Sequence, residues 1–102
     1  MPITRDPAGW TPGYTRSIMR VEFLGLPRER AGVAEVDLEA GTLGQLLIAL
    51  AVRFPAFSDL ITADRLQPSI TANLNGDRFI SDPRTQLSKG DSVLILSADA
   101  GG

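Results

Sequence analysis

Few residues in this chain have side chains suited to catalysis. There is no histidine and no cysteine. That removes the usual general base near neutral pH, the commonest metal ligand, any thiolate nucleophile and any disulfide. The Asp and Glu residues are spread singly and no pair stands out, so an autonomous enzyme would need a carboxylate site that this spacing does not assemble. The unusual chemical feature is the end of the sequence. The apolar run "DSVLIL" leads straight into "SADAGG". A structural strand usually returns into a turn, and a frayed terminus usually carries charge. Here Ala100, Gly101 and Gly102 present no bulk and no charge except the α-carboxylate of Gly102.

The rest of the chain must position that terminus. Its 102 residues make one domain with one modest core. Apolar residues at 43% and charged residues at 22% fit an ordinary soluble globular protein rather than a disordered one. A net charge of −2, with nine arginines and Lys89 scattered along the chain, argues against nucleic-acid binding, which needs a basic stripe. The longest apolar run is too short to span a bilayer, and the N-terminus lacks the apolar stretch of a signal peptide. No membrane role and a cytoplasmic location are therefore expected.

The first seventeen residues, "MPITRDPAGWTPGYTRS", show no helical or strand period and read as an extension outside the core. They hold Pro2, Pro7 and Pro12, and also Trp10 and Tyr14, the only tryptophan and tyrosine. Either they are a loose leader, or the aromatics dock on the domain or a partner. "SIMRVEFLG" alternates as a half-buried strand, with Met19, Val21 and Phe23 on one face and Ile18, Arg20, Glu22 and Leu24 on the other. "LPRERAG" reads as a connecting loop. "VAEVDLEAG" is a second strand, with Val36 and Leu38 inward, and the two suggest a hairpin.

"GTLGQLLIALAVRFP" changes period. Leu43, Leu46, Leu47, Leu50, Ala51 and Phe54 form one face of an amphipathic helix, Thr42 and Gln45 make a capping box, and Pro55 ends it. Gly44 costs some helix propensity. Residues 56–67 are ambiguous, with room for one short helical turn that brings Phe57, Leu60 and Ile61 onto the core. "PSITANLNGDRFI" returns to strand, with Ile70, Ala72 and Leu74 inward and a tight turn at Asn75-Gly76. "SDPRTQLSKGD" is loop, anchored by Leu87 and turning at Lys89-Gly90, with Asp91 part of that turn. "SVLIL" is the last strand, expected beside the first at the centre of the sheet.

This order, and its ending, resembles the MoaD/ThiS-like sulfur carriers, bacterial relatives of ubiquitin. The resemblance runs from Ser17 to Gly102 and is carried by "IMRVEFLG", "TLGQLLIAL", "ANLNGD", "LSKGDSVLIL" and the terminal "GG". A terminal Gly-Gly arises by chance at roughly half a per cent, so it gains meaning only from its place after the final strand. The resemblance implies an α+β fold, the ubiquitin-like β-grasp: a mixed sheet of about five strands packed on one main helix. The implied division is an extension over 1–17, a domain over 18–97 and a tail over 98–102.

The resemblance also implies the chemistry. An E1-like adenylating enzyme uses ATP and magnesium to adenylate the carboxylate of Gly102, and sulfur then replaces the adenylate, leaving a thiocarboxylate. A sulfurtransferase or sulfur-acceptor enzyme would complete the set, with the large subunit of molybdopterin synthase as one possibility. Gly101 and Gly102 would thread a narrow channel that excludes Cβ atoms, using backbone angles closed to other residues. The carrier itself binds no cofactor or metal and is a cosubstrate rather than an enzyme.

Leu94 and Leu96 face away from Val93 and Ile95, and Leu24 and Phe79 lie on the same side. These four are the expected partner-docking residues. The alternative is that this face is covered by the N-terminal extension or by residues 56–67. Leu96-Ser97-Ala98 stands where molybdopterin-synthase small subunits often carry Pro-Pro. The extra length at 55–68 points the other way, toward the molybdopterin type over the thiamine type, and a cysteine pathway stays open. Two other readings are a ubiquitin-like modifier conjugated through Gly102 and a plain β-grasp interaction module.

Overall fold

The computed structural model describes residues 17–98. Strand β1, Ser17–Leu24, is followed by helix α1, Leu26–Ala31, strand β2, Glu35–Ala40, and helix α2, Leu43–Arg53. A 3-10 turn at Pro55–Phe57 leads into a miniature hairpin of β3, Ile61–Thr62, and β4, Arg65–Leu66. Strands β5, Ile70–Leu74, β6, Arg78–Ile80, and β7, Ser92–Ser97, complete the chain. The main sheet has the order β2-β1-β7-β5-β6. Its two central strands, β1 and β7, run parallel, with Val21 opposite Val93 and Phe23 opposite Ile95. All other pairings in it are antiparallel. This is the expected β-grasp, with the last strand at the centre.

Alternation in β1, β5 and β7 sends Met19, Val21, Phe23, Ala72, Val93 and Ile95 to one face, where all are buried. Helix α2 covers that face with Leu43, Leu46, Leu47 and Leu50. The helix starts where the sequence says it should: Thr42 is extended, and its Oγ1 accepts from the Gln45 N–H at 3.2 Å. Gln45 Oε1 accepts from the Gly41 N–H at 2.7 Å, one residue before the N-cap. Gly44 has a packing reason that outweighs its poor propensity. Its N–H donates to Pro83 O at 2.9 Å, and a Cβ there would sit 3.0 Å from the Pro83 ring and 3.1 Å from its carbonyl oxygen.

Two segments differ from expectation. "LPRERAG" is not a loop: Leu26–Ala31 is helical, with Pro27 in the first turn and Gly32 as a left-handed C-cap at φ 75°. Proline near the start and glycine just past the end is the pattern that marks such a helix. Pro27 is buried, and Leu26 and Ala31 pack on the core. Residues 56–67 do supply a short helical turn, but they also form the β3–β4 hairpin. Phe57 is fully buried and meets Phe23 edge-on at 5.6 Å and stacks on Phe54 at 5.5 Å. The segment therefore lies on the helix side of the sheet and does not cover the other face.

At Asn75-Gly76 both residues have positive φ, 58° and 69°, as a two-residue hairpin turn requires. The last turn before β7 is tied to this hairpin. Asp91 accepts from the Ser88 N–H at 2.8 Å and from Asn75 Nδ2 at 3.1 Å. The "KGD" residues are thus a structural turn.

Candidate docking face and the approach to the C-terminus

The outward face of the sheet can be read row by row from the strand register. One row crosses all five strands: Glu35, Glu22, Leu94, Asn73 and Phe79. The next holds Leu24, Leu96 and Thr71. Toward the other end lie Asp37, Arg20 and Ser92, then Glu39 and Ile18. Apolar side chains occupy the β1–β7–β6 side, and carboxylates line β2. Arg20 is the cation among these carboxylates, with its Nε 3.5 Å from Glu35.

The four expected docking residues do share this face but not the same exposure. Phe79 is 63% exposed and Leu24 42%. Leu94 is half-buried. Leu96, expected at the surface, is only 4% exposed. It sits between Leu24 and Thr71 in the register, near the point where α1 packs on β7. It underlies the patch rather than forming its surface. Sequence reading missed two further members. Ile18 is 63% exposed at the start of β1. Asn73 lies between Leu94 and Phe79, and its Oδ1 is buried with no hydrogen-bond partner among the described residues. Strand alternation places both outward, but only the structure shows that the amide oxygen is unmatched. Leaving a buried acceptor unmade costs about 1–3 kcal/mol.

The last strand is held firmly to its end. Ser97 Oγ accepts from the Leu26 N–H at 2.9 Å, and the Ala98 N–H donates to Ser69 O at 2.8 Å. Gly101 and Gly102, the expected reacting terminus, lie outside the described residues. From Ala98 the four residues that follow can reach at most about 14 Å.

Elsewhere, a cleft of about 810 Å³ opens beside α2 and β4, lined by Leu43, Leu47, Arg65, Ile70, Asp82 and Arg84 among others. Its rim charges are already matched. Arg84 lies 3.2 Å from Asp82, whose carboxyl its hydrogen bond holds below the usual range. Arg65 lies 3.9 Å from Asp64. Among the described residues, no group of three or more acidic, His or Cys side chains is placed to hold a metal ion, and no helix is long and apolar enough to cross a membrane.

A five-stranded β-grasp sheet whose central last strand runs out toward Gly-Gly is the geometry to set beside known proteins. The sequence model of the ThiS family matches residues 21–102. The chain belongs to the ThiS family. No curated protein sequence matches it. Among solved structures, the small archaeal modifier protein 1 from Methanosarcina acetivorans superposes with a TM-score of 0.72 at 24% identity, covering 87% of this chain and all of that one. A putative molybdopterin converting factor subunit 1 from Pyrococcus furiosus gives 0.68 at 21% identity, over 79% of this chain and 97% of that one. A chain of the Amycolatopsis orientalis BexX/CysO complex also gives 0.68 at 21%, over 82% of this chain and 99% of that one. At these identities the structural likeness carries the fold, and the family match carries the kinship with the ThiS family.

Proposed function

We propose that this ThiS-family protein is a sulfur carrier, a protein cosubstrate whose reacting group is the carboxylate of Gly102. The observation that supports it is the family match running through the final Gly-Gly, placed just beyond a central strand anchored as far as Ala98. In the proposed cycle a cytoplasmic E1-like partner binds ATP and magnesium. The Gly102 carboxylate attacks the α-phosphorus, and pyrophosphate leaves. The terminal sulfur of a persulfide on a sulfurtransferase then displaces AMP, exchanging the terminal C–O bond for C–S. A second thiol attacks the persulfide's inner sulfur, so that the S–S bond breaks, a disulfide forms on the partner and the thiocarboxylate is released. The thiocarboxylate is delivered to an acceptor enzyme, of the molybdopterin type by preference, with the thiamine and cysteine pathways as the other candidates.

This chain's own share is positional. The sheet presents Leu24, Leu94 and Phe79 for docking, and the glycines enter a foreign active site without Cβ atoms. Missing histidine and cysteine then need no compensation, since the partner supplies the catalytic groups. The Amycolatopsis relative was solved as the BexX/CysO complex, which supports a life spent with partner enzymes.

The test is the intact mass after incubation with a candidate activating enzyme, ATP and a sulfur donor. A gain equal to replacing one oxygen by sulfur, mapped to the peptide ending in Gly102, is the expected result. An unchanged mass where an established carrier is charged would overturn it. Likeness to an archaeal modifier favours a second reading, conjugation of Gly102 to lysines. Both begin with an acyl adenylate, and a ladder of conjugates on a denaturing gel would select the modifier.

A further inference from the structure

We propose that Ser97 is a positioning residue: its side chain fastens the end of β7 to the first turn of α1, and so fixes the point at which the C-terminal tail leaves the fold. Helix α1 cannot cap itself. Its N-cap is Gly25, which has no side chain, and a φ of 72° there favours glycine over the residues that cap helices. The donors of the first turn can be followed one by one. The Arg28 and Glu29 N–H groups both donate to Gly25 O, at 3.0 and 3.2 Å. Pro27 has no N–H. The Leu26 N–H remains, and it donates to Ser97 Oγ at 2.9 Å, from 71 residues away in the sequence. The helix is capped from the last strand.

The same contact completes a clamp on β7. On the β1 side the ladder stops at Leu24 opposite Leu96, and the chain turns away at Gly25 into α1. On the β5 side it runs one residue further, with Ser97 opposite Ile70. The Ala98 N–H then donates to Ser69 O at 2.8 Å. Among the described residues, the bond to Ser97 Oγ takes over from the ladder on the β1 side. Burial changes over the same step, from buried Leu96 through half-buried Ser97 to exposed Ala98. The clamp sits where β7 emerges from the fold.

The consequence rests on the carrier reading. The Gly102 carboxylate must reach the α-phosphorus of ATP in another protein's site while the sheet face stays docked. With β7 held through Ala98, the path to that carboxylate is residues 99–102. Opening at Ser97 adds residues whose conformation must be fixed in the complex, and each one lowers the share of docked complexes in reacting geometry. Ser97 touches no reacting atom and acts through the strand end.

The test compares Ser97→Ala and Ser97→Thr with the wild-type full chain. Alanine removes the acceptor; threonine keeps an oxygen on Cβ and suits a strand. Circular dichroism should stay native in both. Amide hydrogen exchange reads the clamp without any partner. In Ser97→Ala, hydrogen exchange at Ala98 should quicken about 10-fold relative to Ile95 in the same strand, and Ser97→Thr should restore it. ATP–pyrophosphate exchange with a candidate activating enzyme and magnesium reads the consequence. For Ser97→Ala, kcat should fall about 10-fold with KM within about 2-fold, because the docking face is unchanged. Ser97→Thr should recover most of the rate. A hydrogen bond that only stabilised the fold would leave kcat of the folded chain where it was.

Hydrogen exchange at Ala98 that quickens no more than at Ile95 would overturn the clamp. Unchanged kcat would overturn its role in positioning. So would an effect confined to KM, which would assign Ser97 to docking. If the wild-type chain supports no ATP–pyrophosphate exchange, the carrier reading fails with that enzyme, and hydrogen exchange at Ala98 still decides whether Ser97 fixes the exit of the tail. The two readings fail separately.

Discussion

On the helix-covered face of the sheet, Val21, Val93, Ile95 and Ala72 are fully withdrawn from solvent; on the opposite face, on neighbouring strand positions, Phe79 keeps 63% and Leu24 42% of its surface. The same strands supply both. Inner residues are explained by folding alone: each contacts α2, the Phe23–Phe54–Phe57 cluster or its neighbours across the sheet. The outer residues are not explained that way, because nothing in residues 17–98 is packed over Phe79 or Leu24. Burying one such side chain is worth about 1.5–3 kcal/mol, and the outward face leaves part of that gain available for binding. On the proposed reading, folding and recognition are divided between the two faces of one sheet.

The sharpest break of this division comes from the covered side. Phe57→Ala removes a fully buried ring between Phe23 and Phe54 and is expected to cost about 3–5 kcal/mol. Against a total of about 5–15 kcal/mol, thermal unfolding should shift down by well over ~10 °C. A shift of only a degree or two would mean that the 55–66 segment is not part of the core.

Next comes Gly44→Val. Helix propensity alone would make it neutral or helpful. The Pro83 carbonyl and ring at 3.1 and 3.0 Å from the added Cβ predict a loss of about 1–3 kcal/mol from overpacking, read as a lower urea midpoint with an unchanged slope. A rise in the midpoint would show that the Pro83 loop moves aside freely.

Phe79→Thr should change stability by less than about 0.5 kcal/mol, since the ring is mostly exposed and threonine suits a strand. On the proposed reading, its effect belongs to recognition. Affinity for the activating partner, measured by calorimetry, should fall about 10-fold or more, as for an aromatic anchor. Unchanged affinity together with lost stability would reverse the assignment of the two faces.

The inner face was legible in the sequence because burial repeats. Period two in "IMRVEFLG" and period 3.6 in "LGQLLIALAVRF" each point to one side, and Thr42, Gln45, Pro55 and Asn75-Gly76 mark the ends. Helix α1 was less legible. Six residues hold too few turns for a period to show, and only the Pro27–Gly32 bracket betrays it. Leu96 was misjudged as exposed because alternation gives direction and not cover. Its burial is a tertiary fact, set by packing that strand alternation does not record. Asn73 Oδ1 was invisible for the same reason: one missing hydrogen bond leaves no trace in residue type. The Gly-Gly terminus is the reverse case, plain in the sequence and outside the residues whose geometry is described.

The rim of the covered face provides the smallest expected effect. Arg30 on α1 donates to the Asp59 carboxylate and, at 3.1 Å, to Ala56 O, tying the helix to the segment that carries Phe57. The hydrogen bond from Arg30 holds the Asp59 carboxyl below its ordinary range. A carboxyl whose folded pKa is depressed stabilises the fold above its unfolded pKa, and that contribution is lost as pH falls through the folded value. Both groups are solvent-exposed, so screening keeps the contribution small. Wild type should therefore melt slightly above Asp59→Asn at neutral pH, with the gap closing as the buffer is taken below the normal carboxylate range. High salt should narrow the neutral-pH gap as well. A gap that persists in acid would assign the effect of the substitution to packing or backbone contacts at Asp59 rather than to its charge, and would make this rim an extension of the apolar core.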